Sequence, residues 1–135
     1  MGNPRGVQRD FEALESRRSI SFIPVEIDLT SKGATMRGWC GSEVIHVGDV
    51  FDSVYRETLH GEPPQRIESG KQAHLTVKAI RAYRRSINWL DIGMSAEIDF
   101  FGKGAEQLVR GEIMGGTSTK EPREGPLFTD ETGLT

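Results

Sequence analysis

The chain has 135 residues, 36% of them hydrophobic, with 16 glycines and a formal net charge of −3. This length makes one domain with a small core. The acidic balance excludes a protein that binds nucleic acid through its overall charge, so any basic site has to be a local patch.

Residues 1–19 are polar and read as a flexible tail, in which Asp10 to Glu15 could form a helical turn or two. The first twenty residues hold no apolar signal-peptide core, and no run reaches transmembrane length. The single cysteine, Cys40, rules out an internal disulfide and fits a reducing compartment. The expectation is a soluble cytoplasmic protein with no membrane partner.

Val25, Ile27 and Leu29 alternate with Glu26, Asp28 and Thr30, which predicts a strand with one buried face. The strand signal runs over Ile20 to Thr30, and Pro24 interrupts it, which places the strand's start at Pro24 or puts the strand on an edge. After the turn Ser31-Lys32-Gly33, Ala34 to Gly41 reads as a second strand. Val44 to Val47 leads through Gly48-Asp49 into another strand, Val50 to Tyr55. Residues 56–69 contain Gly61 and Pro63-Pro64 and read as a loop or inserted excursion.

Leu75 to Met114 organises the rest. Leu75 to Ala79 alternates, and Ile80 breaks the pattern. Leu75, Ala79, Ala82 and Tyr83 also fit one face of a helix. A strand with a bulge near Ala79-Ile80 is preferred, because a bulge re-aims the side chains after it. A polar tip follows at Arg84 to Asn88. Gly93 restarts the pattern, Ala96 to Phe100 alternates, Gly102-Lys103-Gly104 breaks it, and Leu108 to Met114 ends it. Beyond Met114 the composition is that of a linker, and residues 116–135 read as a flexible tail. Short strands separated by glycine-rich turns predict an all-β fold, a small closed antiparallel barrel of about six strands over residues 20–115 with flexible termini. The glycines at 33, 38, 48, 93, 102 and 111 are assigned to turns.

Several pieces then fall into one order. Phe22-Ile23-Pro24-Val25-Glu26 is followed by Gly33-Ala34-Thr35-Met36-Arg37-Gly38 and Val44-Ile45-His46-Val47-Gly48-Asp49. Val77 to Ile80, Tyr83-Arg84-Arg85, Ala96-Glu97-Ile98, Gly102 and Arg110-Gly111-Glu112-Ile113 come after them. This order resembles the second domain of translational GTPases of the elongation factor Tu kind, over about the whole barrel. The resemblance implies a closed six-stranded antiparallel barrel. In the elongation factor this barrel helps to hold the aminoacylated end of tRNA. Glu26 matches the family's proline-valine-glutamate, but Ile27 and Leu29 do not continue its acidic-then-aromatic pattern. Trp89 stands where a gap-free reading expects an acidic residue, and Phe101 where an arginine is expected.

No G-x-x-x-x-G-K-[ST] loop is present. Gly70-Lys71 runs into Gln72 and Gly102-Lys103 into Gly104, so neither supplies the hydroxyl that holds magnesium. No nucleotide and no other cofactor is expected. His46, His60 and His74 lack ligand spacing and read as surface or strand histidines, and Cys40 reads as a small buried hydrophobe. Glu97 and Asp99 share a strand face and would be a catalytic pair only in a cleft that perturbs them. The chain is expected not to be an enzyme.

One cluster carries a binding expectation. Lys71, Lys78, Arg81, Arg84 and Arg85 lie within residues 71–85, which contain no Asp or Glu, and Tyr83 and Trp89 flank the tip. Arginine and lysine beside exposed aromatics suit phosphate neutralisation with base stacking. The alternative is a charged edge that deters strand-to-strand association. Trp89 is either folded over a barrel end or a contact anchor. The expected site is therefore Lys78, Arg81, Tyr83, Arg84, Arg85 and Trp89. Its partner is RNA, as ribosomal RNA or tRNA, or else a protein that uses the barrel as an interaction module of the inhibitor or immunity type.

Overall fold

Phe22, Met36, Leu75, Ile98 and Met114 come from five different strands, and all five are buried at one centre. The computed structural model describes residues 17–58 and 63–129. Its strands are β1 (Arg18–Thr30), β2 (Gly33–Cys40), β3 (Ile45–His46), β4 (Val50–Glu57), β5 (Arg66–Glu68), β6 (His74–Ala82), β7 (Arg85–Ile87), β8 (Trp89–Leu90), β9 (Ser95–Lys103) and β10 (Ile113–Ser118). One 3-10 turn, Ala105–Gln107, follows β9. No helix among the described residues is long and apolar enough to cross a membrane.

The strands pair antiparallel in the order β4-β10-β1-β2-β9-β6, and β6 pairs back onto β4 through Val50↔Thr76 and Phe51↔Leu75. The all-β fold is thus built on a ring of six strands. Inside it, Phe100 packs against Phe22 and Phe51 with ring centroids 5.9 and 5.7 Å apart. Strand alternation sends Ile98 and Phe100 inward and Glu97 and Asp99 outward. The β3–β8 ribbon adds Ile45 and Leu90 to the core.

β6 is a strand, with a register shift between Val77 and Ala79 that makes Lys78 the extra residue. The shift keeps both Val77 and Ile80 inside, which is why the alternation fails at Ile80. Elsewhere the boundaries differ from expectation. β1 begins at Arg18 rather than Pro24, and Pro24 sits at a register shift opposite Gly38. A bulge is one of the few strand positions that tolerate a residue without an N–H. Gly38 lies within β2 rather than in a turn. A Cβ there would run into the Ile23 carbonyl, so glycine is required by close backbone approach.

The alternation of Val25, Ile27 and Leu29 does not bury all three. Pairing of β1 with β10 ends at Phe22↔Met114, and beyond it β1 pairs only with β2. The hairpin outruns the ring, leaving Val25 51% and Leu29 59% exposed while Ile27 is partly buried. Within residues 56–69, β5 folds back on an extended β4, so the described part is a hairpin arm. Residues 108–112 connect to β10 instead of forming its start, and β10 runs on to Ser118.

Residues 119–129 are not a free tail. Asn88 N–H donates to Leu127 O, Thr129 N–H donates to Ser86 O, and Ile87 bridges Phe128. The segment adds an edge to β7. The expected tails at 1–16 and 130–135 lie outside the described residues.

Candidate binding surface

The β6–β7 turn consists of Tyr83 and Arg84 alone, because Ala82 pairs with Arg85. Both have positive φ, 55° and 62°. A two-residue turn with both central residues at positive φ matches the twist of the flanking strands, and it usually selects Asn and Gly. A tyrosine and an arginine there cost of order 1 kcal/mol each. That strained turn holds Tyr83 in solvent at 74% exposure, with Arg84 exposed beside it.

The other predicted site residues separate. Arg81 is held by both carboxylates facing it across the β6–β9 ladder. Its Nε and Nη2 donate to Glu97 Oε1 at 2.9 and 2.8 Å, and its Nη1 and Nη2 donate to Asp99 at 2.8 Å. The paired guanidinium holds both carboxyls below their usual range. They stay ionised and are not poised to donate a proton. Glu97 also accepts from Arg37 Nε at 3.0 Å, and Arg37 lies 3.6 Å from Glu26. Lys71 is bound to the buried Glu112 at 2.8 and 2.9 Å. Arg85 stacks on the Phe128 ring at 3.6 Å. Trp89 pairs with His46, and its Nε1 donates to Gly125 O at 3.2 Å, so it is folded against the C-terminal segment. The residue window 71–85 contains no acid, but the fold supplies acids from other strands. Only Lys78, 5.6 Å above the Phe101 ring, and Arg84 remain as exposed cations of the predicted set.

Tyr83 instead lines an open groove of about 410 Å³ on the outer face of the sheet. Val25 and Trp39 line it too, over a floor of small residues that includes Gly38, Ala82 and Ala96. Trp39 is 41% exposed. Its neighbour Cys40 is buried in the core, and strand alternation pushes the indole out. That signal was present in the sequence, since Met36 and Cys40 are two apolar residues of one parity and Trp39 has the other. The charges at the groove, Glu26, Arg37, Arg81 and Glu97, are paired with one another or with Asp99.

Cys40 is buried, its Sγ donates to Glu43 O at 2.9 Å, and burial pushes its pKa up to about 11. This thiol is inert. His74 is exposed at the start of β6, whereas His46 is a buried strand residue, and His60 lies outside the described residues. Among the described residues, no group of three or more His, Cys, Asp or Glu could hold a metal ion.

No family model and no curated protein matches the sequence. The fold does have solved neighbours. Translation elongation factor SelB from Methanococcus maripaludis in its apo form superposes with a TM-score of 0.55 at 16% identity, over 73% of this chain and 19% of that one. The same factor in complex with the GTP analogue GppNHp gives 0.53 at 17% identity, with the same coverage. The chain therefore spans about a fifth of the length of its solved neighbours, and the likeness is one of fold. It supports, at that level, the resemblance to a translation-factor barrel.

Proposed function

We propose that the chain is a non-catalytic binding module of the translation-factor barrel type. Its contact surface is the groove of Val25, Trp39, Tyr83 and Ala96, and its partner is a protein that inserts an apolar side chain there. One observation carries the choice. The exposed aromatics surround a floor of small residues whose flanking charges are already neutralised, so the groove offers apolar area but no free cation for phosphate. Aromatic residues on such a surface are the usual anchors of protein interfaces. The strained Tyr83-Arg84 turn supports the same surface, because costly backbone conformations persist where a side chain must be presented.

RNA is the second reading. Lys78 over Phe101, and Arg84 at the turn, favour it: these are exposed cations beside exposed rings.

The test is a pull-down from native cell extract with the full chain, Trp39→Ala and Lys78→Ala with Arg84→Ala. A protein retained at high salt and after ribonuclease, but lost with Trp39→Ala, is the expected result. Capture that ribonuclease or salt abolishes, and that only the lysine-arginine variant loses, replaces the protein partner with RNA.

A further inference from the structure

β1 changes its surroundings at the bulge on Val25. Before the bulge it lies between β10 and β2, and its pairing with β10 ends at Phe22↔Met114. After the bulge, residues 26–30 pair with β2 alone among the described residues. The ladders fix which way each backbone group points. Gly102 N–H donates to Lys32 O at 2.9 Å, so the even-numbered residues of β2 bond to β9 and the odd-numbered ones to β1. Gly33, Thr35 and Arg37 stand opposite Thr30, Asp28 and Glu26. Ile27 and Leu29 therefore turn their N–H and C=O groups to the other side, where β10 does not continue. Neither has a backbone partner there among the described residues.

This edge is unguarded. Residues 26–30 contain no lysine, no proline and no charge on the inner face, the devices that usually blunt a strand edge. The chain covers its β7 edge with residues 127–129, whereas it leaves this one open. Ile27 and Leu29 share the inner face opposite Met36 and Ala34, and Leu29 is 59% exposed. Glu26 and Asp28 share the outer face, and Asp28 makes no ion pair among the described residues.

Charge decides the occupant. Two copies of this edge would run antiparallel about a twofold axis. Pairing Ile27 with Leu29 sets Asp28 against Asp28, and pairing Ile27 with Ile27 sets Glu26 against Asp28, both unfavourable. A register centred on Leu29 runs into the turn at Ser31-Lys32. A phosphate backbone meets the same acids. We infer that the β1 edge takes an extended segment of another protein as an added antiparallel strand, with apolar side chains beside Ile27 and Leu29 and a lysine or arginine beside Asp28. Backbone bonds to Ile27 and Leu29 supply the docking, and the side chains select the sequence. The edge needs neither Trp39 nor Tyr83, so it stands apart from the groove.

The experiment titrates the full chain with a peptide that alternates valine and lysine, followed by NMR at the backbone amides. The controls are a valine–glutamate peptide and the valine–lysine peptide N-methylated at its valines, which removes the N–H groups that would face β1. The expected result is saturable shifts at Ile27 and Leu29 with slowed exchange of their amides, seen with the valine–lysine peptide and lost on N-methylation. Asp28→Lys, an exposed substitution, should weaken that peptide about five-fold and turn the preference toward valine–glutamate. Trp39→Ala should leave binding unchanged, and loss of binding in that variant would place the peptide in the groove instead. No saturable change at Ile27 and Leu29 overturns the inference, as does equal binding of the N-methylated peptide or a preference that Asp28→Lys does not alter. Slowed exchange that grows with chain concentration in the absence of peptide would make the occupant a second copy.

Discussion

Two residues in the β6–β7 turn set stability against presentation. Tyr83 and Arg84 both occupy the left-handed region, where bulky side chains are disfavoured. Replacing them with Asn and Gly suits the same turn without strain. Tyr83→Asn with Arg84→Gly should therefore stabilise the fold, by about 1–2 kcal/mol in urea denaturation. Under the proposed function, the same variant loses the partner. A destabilised variant would mean that the two side chains are retained for packing. Glu112 makes the opposite kind of case. It is buried and held by Lys71, with a further bond from Val109 N–H at 2.8 Å. Burial alone would raise its pKa, but these two partners bring it below the ordinary value. A depressed carboxylate stabilises the fold above its unfolded pKa, and that contribution is lost as pH falls through the folded value. Lys71→Met leaves the carboxylate with one donor and should cost about 2–3 kcal/mol at neutral pH. The gap between wild type and variant should shrink on acidification through the carboxylate range. Equal gaps in denaturation at the two ends of that range would separate the loss from Glu112.

At the scale of elements, the long strands were legible, whereas strand ends and the short strands β5, β7 and β8, which fall in the expected loop and around the expected polar tip, were not. β9 was readable because Ala96 to Phe100 alternates without interruption and both its neighbours in the sheet are long. The β6 bulge was readable to within a residue or two, because Ile80 out of phase is what an inserted residue produces. β1 misled. Its most regular stretch, Val25 to Thr30, is the part that outruns the ring, while its buried part, Ile20 and Phe22, looked less regular. Period-2 alternation reports a pleated strand, but how far the neighbouring strand extends decides whether the apolar face meets a core. The C-terminal segment failed for a related reason. Residues 116–135 hold few sizeable apolar residues, yet Leu127 and Phe128 pack against the core and the free edge of β7 gives the segment backbone hydrogen bonds that composition cannot reveal. The pairing of Arg81 was not legible because the acids that neutralise it lie about sixteen residues away along the chain and face it across the sheet. Trp39 was legible by parity, though its groove needed Val25 and Tyr83 to be brought beside it.

The described residues are held together by the ring of six strands, and that ring has a short seam. β1 and β2 share a ladder from Phe22↔Cys40 to Thr30↔Gly33, whereas β4 and β6 share only Val50↔Thr76 and Phe51↔Leu75. Two further bonds extend the seam, Gly48 N–H to Val77 O at 2.8 Å and Val77 N–H to Asp49 O at 2.9 Å. Phe51 sits at this seam and also packs edge-on against Phe100 in the core. Its side chain thus links closure of the ring to filling of its interior. Phe51→Ala removes a fully buried aromatic and should cost about 3–5 kcal/mol. For a domain of this size that is a large part of the total stability. The seam should also open before the rest, since local openings begin where few bonds and contacts have to be broken. Native-state hydrogen exchange checks both statements. The Gly48 and Val77 amides should exchange at a lower opening free energy than amides of the β1–β2 ladder in wild type, and Phe51→Ala should widen the difference. If Val77 and the β1–β2 amides exchange at one common free energy in both proteins, the ring opens only by global unfolding, and the short seam is as firm as the long ladders.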